Sequence, residues 1–281
     1  MMTRSAGILP SALERRGRRG FTGTLRVEGS PGGTVTMRGG LIVAASTPAA
    51  PGPEPLLLRS GRISEADWTA AFTAGAPGGR LGDELVRRGL LGDAGLQVVT
   101  RTAIVDAVFA MALGGVRTCT AVPDGPGEDG EDVPPVLLPA DPGLPADRVG
   151  REVERRLAAL EAWSLLPLTA PLSARSRPRA TAAARDAAAG GGRRAVLDRA
   201  DGRRTPRDIA FALGRGLFSV LGDLATLYED GLVEEGLAEE RAPAPPPVPA
   251  PRPVPPDVPS GPHGSFGAPG ELPRRRRRPS G

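Results

Sequence analysis

The sequence predicts an α+β protein with two folded parts, a helix between them and a long irregular tail. In three short runs between residues 23 and 46, apolar and other residues alternate, which is typical of a β-meander. Farther along, apolar residues recur every three or four positions, which indicates helices. The chain also contains 39 Gly and 32 Pro among 281 residues, so that substantial disorder is expected beside the folded parts.

The first folded part is expected at residues 21–121. The alternation points Leu25, Val27, Val35 and Met37 inward, and a third strand contains Ile42 and Val43. A loop, TPAAPGPEP, leads to a helix that Ser64 is placed to cap, and Gly89 is placed to end a further helix. The clearest helix runs from about Asp93 to Leu113. Its apolar positions are Leu96, Val99, Ala103, Ala107, Ala110 and Met111.

These segments, together with RLGDELVRRGLLGDAGL and RTAIVDAVFAMALGG, resemble the PATAN-type domain of bacterial regulatory proteins. The piece LGDELVRRGLL is also similar to the small helical module at the front of secretion and pilus ATPases. The resemblance implies an interaction module without catalytic residues. It therefore implies a regulatory protein partner that binds through residues 21–121.

The segments around this part are assigned from composition. Residues 1–20 contain ERRGRRG and are expected to be a basic arm, either a solvated terminus or a contact to nucleic acid. Residues 122–145 are an acidic linker, and residues 164–192 are a basic, Gly-containing linker. Residues 241–281 are expected to be a disordered tail rich in Pro and Arg.

A connector helix is predicted over residues 146–163. Its apolar residues form one stripe: Val149, Val153, Leu157, Leu160 and Trp163. Two interpretations are open. The stripe packs on one of the folded parts, or it pairs with a second copy of the chain in a homodimer.

The second folded part is expected at residues 193–240, with three helices in a short length of chain. Thr205 can cap the second helix with Pro206 in its first position, and glycines at 214 and 216 form a sharp turn. The third helix runs from about Leu217 to Asp230, and GLVEE suits a strand leading into a wing. This order resembles the winged-helix domains of MarR-like regulators, and in particular a group of actinobacterial transcriptional regulators.

The charges qualify what the winged-helix resemblance implies. A helix that enters the major groove normally offers basic or amide side chains to the bases, but residues 217–230 contain no basic residue and three acidic ones. The candidate nucleic-acid contacts lie elsewhere. They are Arg203, Arg204, Thr205, Arg207, Arg215 and Ser219, with the tail residues Arg274, Arg275, Arg276, Arg277 and Arg278.

Several chemistries are excluded by composition. The only histidine, His263, lies in the Pro/Gly-rich tail, and the chain has no Lys. A His-dependent triad, a phosphate-binding loop with Lys and a Schiff base are therefore not expected, and Cys119 alone cannot form a cysteine-cluster zinc site. We expect no enzyme activity, no cofactor and no metal. No stretch approaches the ~20 apolar residues of a membrane span, which predicts a cytoplasmic protein.

Two functional hypotheses follow. The first is a MarR-like transcriptional regulator that carries a PATAN-type module and engages DNA with the help of its arginine-rich segments. The alternative is a signalling adaptor in which both folded parts bind proteins rather than DNA. The third helix has acidic residues and no basic one, which favours the signalling adaptor. The resemblance to winged-helix regulators favours the transcriptional regulator.

Overall fold

A computed structural model describes residues 7–123, 136–164, 173, 175–185, 187 and 190–236. These residues all belong to one unit of the chain, which ends at residue 239. The unit is mixed α and β with an antiparallel sheet, in agreement with the predicted fold class at that level. The expected tail at 241–281, with Arg274–Arg278, lies outside the described residues.

The sheet is built on the predicted meander, and its three strands are confirmed. The strands are β1 (Gly23–Gly29), β2 (Gly33–Arg38), β3 (Leu41–Ser46), β4 (Val116–Pro123) and β5 (Leu144–Pro145). Their order is β4-β1-β2-β3-β5, and all neighbours are antiparallel. Gly39 (φ +54°) and Gly40 (φ +82°) connect β2 to β3, because a two-residue hairpin of this hand needs positive φ at both positions.

Helices cover the sheet. They are α1 (Ile8–Arg18), α2 (Pro53–Leu58), α3 (Glu65–Gly75), α4 (Leu81–Arg87) and α5 (Asp93–Gly114). The Ser64 hydroxyl accepts a hydrogen bond from the amide of Asp67 at 3.1 Å, which confirms the predicted cap of α3. Helix α5 also has the predicted extent, and its residues 103–112 are all buried. It is the central helix of this half.

The expectation of a basic arm at residues 1–20 is wrong for residues 8–18, which form α1. Leu9 and Leu13 are fully buried and Ala12 nearly so, and the helix packs against β4 and the connector helix. The apolar spacing of these residues is that of an amphipathic helix. Arginines cluster only in its last turn and just after it, where they do not interfere with that apolar face.

The expectation that no segment approaches a membrane span is also corrected. Helix α5 has 22 residues, and its most apolar window has a mean hydropathy of 1.5, so its length and composition would suit a span. A core helix meets the same criteria, and 61% of that window is buried inside the protein. Packing against the sheet accounts for the apolar character of α5.

The connector is α6 (Ala146–Ser164), as predicted in type and extent. Val149 and Val153 are almost fully buried and Leu160 is 6% exposed, because α6 packs against α1, α5 and the helix at Leu217–Glu229. The apolar stripe is therefore covered within the chain, as the packing interpretation expects.

Residues 136–145, assigned to a linker, are part of the fold: the amide of Ala140 donates to the carbonyl of Val43 at 2.8 Å.

The second half has the predicted helices α7 (Gly191–Leu197), α8 (Pro206–Leu213) and α9 (Leu217–Glu229), with strands β6 (Pro178–Ala180) and β7 (Val233–Glu235). Thr205 and Asp208 form a reciprocal capping box at the start of α8. The partner of β7 is β6, which precedes all three helices. Residues 178–185 thus belong to this half, and their assignment to a linker is wrong. The length of chain expected to form a wing continues beyond residue 236, outside the described part.

We predict that α1 contributes to the core. Leu13→Ala should lower the free energy of unfolding by about 2–5 kcal/mol, because a fully buried side chain leaves a cavity. Ile8→Ala, at a position in the same helix that is 37% exposed, is the control and should cost less than about 1 kcal/mol. Urea denaturation of the two variants measures both effects. Equal small losses would contradict the packing of α1.

Candidate functional site

A buried carboxylate joins the two halves of the protein. Asp106 lies in the middle of α5 and is 1% exposed. Its Oδ1 accepts hydrogen bonds from the amide of Phe218 at 3.1 Å and from Nη1 of Arg156 at 3.0 Å, and its Oδ2 accepts from the amide of Leu217. The first two amides of α9, which have no partner within their own helix, are thereby satisfied by a residue of the other half. Negative charge is also favourable at this end of a helix.

The ionisation of Asp106 depends on opposing effects. Burial raises the pKa of the Asp106 carboxyl above its usual range, while the amides of Phe218 and Leu217 and the guanidinium of Arg156 act in the opposite direction. Arg156 is held in turn by Glu152, whose Oε1 lies 2.8 Å from Nε of Arg156. Hydrogen bonds from Arg155 and then Arg156 lower the pKa of Glu152 to about 2. The acidic and basic groups at this junction therefore form a connected set.

Phe218 completes the junction with an aromatic contact. Its ring meets Phe109 of α5 edge-on at a centroid distance of 5.4 Å and stacks on Trp163 of α6 at 5.4 Å. The Arg156 guanidinium lies 4.8 Å from the centroid of the Phe218 ring. A chain with only six Phe and two Trp places three of them here. Such contacts add to the stabilisation from burial alone.

The two glycines of the turn between α8 and α9 allow this close approach. A Cβ added to Gly214, which has φ +58°, would lie 2.6 Å from the carbonyl oxygen of Pro55 and 2.6 Å from the amide nitrogen of Ser60. A Cβ added to Gly216 would lie 3.2 Å from Oδ2 of Asp106. The turn was predicted as a turn only. In the structure it is also the surface through which the second half contacts α2 and α5.

Helix α9 is consequently covered on most of its circumference. Its inward residues Leu217, Val220, Leu221, Leu224 and Leu227 are at most 1% exposed. On another side Gly222 lies against the ring of Trp163, to which an added Cβ would be 3.3 Å away. Only Ser219 and Glu229 of α9 are exposed. The surface stripe of α9, formed by Ser219, Asp223, Thr226 and Glu229, has no basic side chain to offer to the major groove, and Asp223 on it pairs with Arg215.

Three of the candidate nucleic-acid contacts serve the fold. Arg215 has Nη1 3.0 Å from the carbonyl oxygen of Gly192 and 2.6 Å from Oδ2 of Asp223, and its Nη2 donates to Oγ of Ser219 at 2.7 Å. Arg215 and Ser219 are therefore engaged with each other. Thr205 has its hydroxyl in the capping box of α8.

The candidates Arg203 and Arg204 lie with Arg177 and Arg179, which were not predicted, in an exposed basic cluster that we call the basic turn. Nη1 of Arg177 donates to the carbonyl of Arg203, and the side chain of Arg179 lies 3.5 Å from the position of a Cβ on Gly202. Arg204 pairs with Asp201 at 2.8 Å. Strand β6 thus brings two arginines of the segment assigned to a linker beside the predicted pair. Arg207 lies apart, over the ring of Phe211.

Two cavities adjoin these elements. One, of about 310 Å³, lies at the junction and is lined by Asp106, Arg156 and Arg215, among others. Another, of about 490 Å³, lies beside β3 in the first half and is mostly apolar. Among the described residues no group of three or more His, Cys, Asp or Glu is placed to hold a metal ion. Burial raises the pKa of the Cys119 thiol, which is half-buried.

The comparison with known proteins adds no relative: no family model, curated protein or solved structure matches the chain.

Sequence reasoning missed the residues of the junction. Asp106 interrupts the apolar run of α5, and an acidic residue on a face that is otherwise buried is a signal that could have been noticed. Arg156 and Phe218 carry no comparable signal, since an arginine on an amphipathic helix and a phenylalanine at a helix start are ordinary. Their roles depend on neighbours that are 50 and 112 residues away from them along the chain.

We predict that Asp106 is essential for the junction. Asp106→Ala should lower the free energy of unfolding by about 3–5 kcal/mol, because it leaves Arg156 and two amides without their acceptor. Asp106→Asn retains one carbonyl oxygen and should cost less. Glu154→Ala, at an exposed position of α6, should change stability by no more than about 0.5 kcal/mol. Denaturation combined with hydrogen exchange at the amides of 217 and 218 checks this. Unchanged exchange in the alanine variant would show that the capping is absent.

We also predict that Gly214 is needed for contact as well as for its backbone angle. Gly39 has a similar angle, φ +54°, but open space around it, so Gly39→Ala should cost only the backbone strain of about 1–2 kcal/mol. Gly214→Ala should lower the free energy of unfolding by about 1–3 kcal/mol more than Gly39→Ala does, because its Cβ collides with the backbone at α2. Thermal and urea denaturation compare the pair. A similar loss in both variants would contradict the docking of this turn.

Proposed function

We propose that this chain is a non-enzymatic regulatory adaptor that binds proteins, and that its second half is a fixed structural part of it rather than a reader of DNA. The observation that carries the proposal is the covering of α9. Both the start of the helix and the side next to α6 are held against the first half by Asp106 and Phe218. The PATAN-like character proposed for the first half agrees with a role in protein binding.

Sequence-specific DNA recognition by α9 would require the junction to open. The first turn of a recognition helix contacts base edges, and here that turn lies against α5. Opening would take the amides of Leu217 and Phe218 away from Asp106 and leave the buried carboxylate with Arg156 alone, and each lost hydrogen bond to a charged group costs about 1.5–3 kcal/mol. It would also expose Phe218. Specific binding exceeds nonspecific binding by about 4–10 kcal/mol, so this cost would remove much of the difference.

Composition supports the absence of catalysis in this proposal. The chain has one His and no Lys, which leaves few groups for acid–base or nucleophilic chemistry near neutral pH. The charged residues at the junction are engaged with each other and with backbone groups, as structural ion pairs are. A cytoplasmic location, which we also propose, suits a chain with a single Cys.

A second candidate function is a transcriptional regulator that contacts DNA by another surface. The basic turn favours it, because the guanidinium groups of Arg177, Arg179 and Arg203 form no ion pair among the described residues, although Glu235 and Asp201 accept hydrogen bonds from the backbone amides of Arg177 and Arg203. Such a cluster can bind phosphates and orient a protein on a duplex. Neighbouring Asp201 and the acidic strand β7, with Glu234 opposite Arg179, reduce the local positive charge.

A DNA titration separates the two candidates. The full chain, a chain without residues 270–281, and the double variant Arg203→Gln with Arg204→Gln are titrated with random-sequence duplex DNA at low and moderate salt. We expect no binding that survives removal of residues 270–281, because the five arginines there are the only run of five consecutive basic residues in the sequence.

The matched control is Arg18→Gln with Arg19→Gln, which removes the same charge from the end of α1. Under our proposal the two double variants behave alike, since any residual attraction is nonspecific. Salt-dependent binding that persists without the tail and is lost only with Arg203 and Arg204 would refute the adaptor proposal. It would place DNA contact at the basic turn.

A further inference from the structure

The outer edge of β3 is open over its second half. Strand β5 pairs only with Leu41 and Ile42, and the carbonyl of Val43 accepts from the amide of Ala140 at 2.8 Å. Beyond that point the strand pairs with β2 on its inner side alone, through Ala44, Ala45 and Ser46. Exposed strand edges carry unused backbone groups to which another strand can add.

The orientation of these groups follows from the hydrogen-bonding pattern of the β2–β3 hairpin. Arg38 and Leu41 flank its two-residue turn and form a hydrogen-bonded pair. With the register shift opposite Thr36, Val35 and Ala45 are then a non-hydrogen-bonded pair, so the amide and the carbonyl of Ala45 point to the outer side. Among the described residues no hydrogen bond joins the amide or the carbonyl of Ala45 to a residue outside the β2–β3 ladder. Ala45 is nevertheless half-buried. A donor and an acceptor that lie side by side on an extended, partly covered backbone are what an added strand would use.

An apolar groove lies directly beside this edge. Its volume is about 490 Å³, and its β3 side is formed by Ala44, Ala45 and Ser46. The remaining lining residues include Trp68 of α3, Thr100, Ala103 and Ile104 of α5, and Val136, Leu137 and Leu138. Leu137 is 37% exposed at the rim. Among the described residues that line the groove, Glu54 alone is charged. A chain that pairs with Ala45 would place one row of its side chains against these apolar walls.

We propose that this groove, which we call the β3 groove, binds an extended segment of a partner protein that adds as a strand to β3. The segment has apolar side chains at alternate positions and no acidic residue near Glu54. Because an extended chain rises by about 3.3 Å per residue, the open edge from Ala44 to Ser46 can pair with roughly three to five residues of the bound segment. This inference rests on the proposed adaptor function and assigns it a binding surface.

The chain's own neighbouring segments have the wrong chemistry for this groove. Residues 124–135 precede Val136 and contain five acidic residues, which Glu54 would repel, together with three Pro. The segment 242–256 consists largely of Pro, which has no amide hydrogen to donate to the edge. A partner segment with free amides and apolar side chains is the better complement.

The test uses the full chain and a phage-displayed library of random linear peptides. We expect enrichment of peptides with apolar residues at every second position. On binding, hydrogen exchange at the Ala45 amide should slow, because that amide gains an acceptor. Methylation of alternate peptide amides should weaken binding at every second position only, which a contact through side chains alone would not produce.

Two variants and one control complete the test. Ala45→Pro removes the amide at an edge position where proline is tolerated, and it should weaken binding about tenfold. Leu137→Ala removes part of the rim and should weaken binding about fivefold. Val98→Ala is the control, since Val98 is 58% exposed on α5 and does not line the groove. Thermal melting establishes that each variant folds, and Leu137→Ala keeps the test valid if Ala45→Pro does not.

Three results would overturn the proposal that the β3 groove binds a partner segment. In the first, the library yields no binder. In the second, Leu137→Ala does not weaken binding, and bound peptides leave hydrogen exchange at Ala45 unchanged. In the third, binding appears only after deletion of residues 124–135. The last result would mean that the chain occupies its own groove. Each outcome is independent of the DNA titration, which alone decides between adaptor and DNA-binding regulator. Failure here would leave the adaptor proposal with a different binding surface.

Discussion

The arrangement of the two halves depends on a single buried carboxylate. Asp106 lies in an apolar helix, where an ionised group without partners would be very unfavourable. The groups that compensate it come from outside that helix: Arg156 from α6 and two amides from the start of α9. Three helices from separate stretches of chain must therefore meet at one point. The position of the second half relative to the first follows from that requirement.

Other features of the junction are consistent with this constraint. The glycines at 214 and 216 remove the side chains that would keep the turn away from α2 and α5. Phe218 fills the space beside the carboxylate and contacts Phe109 and Trp163, so that polar and aromatic contacts act at the same place. One consequence is that α9 is enclosed.

Elements defined by neighbouring residues were predicted well. Helix α5 follows from its own apolar periodicity, and the starts of α3 and α8 follow from Ser64 and Thr205, because capping acts within one turn. The meander followed from alternation. Three strands were missed: β4 and β5 at the sheet edges, and β6 within a supposed linker. Strands β5 and β6 have two and three residues and little pattern of their own, and all three strands depend on a partner far along the chain.

The sequence by itself determined the local conformations and the chemistry that the chain lacks. The absence of Lys, the single His in the tail and the acidic third helix can be read without any structure. Tertiary structure alone decided which surfaces are free. Whether Arg215 is available, whether α9 is exposed and whether Ala45 is paired all depend on contacts between distant segments. Periodicity and capping depend on consecutive residues of one segment, so they can be recognised in the sequence. Burial depends on contact between two segments, so it requires the tertiary structure.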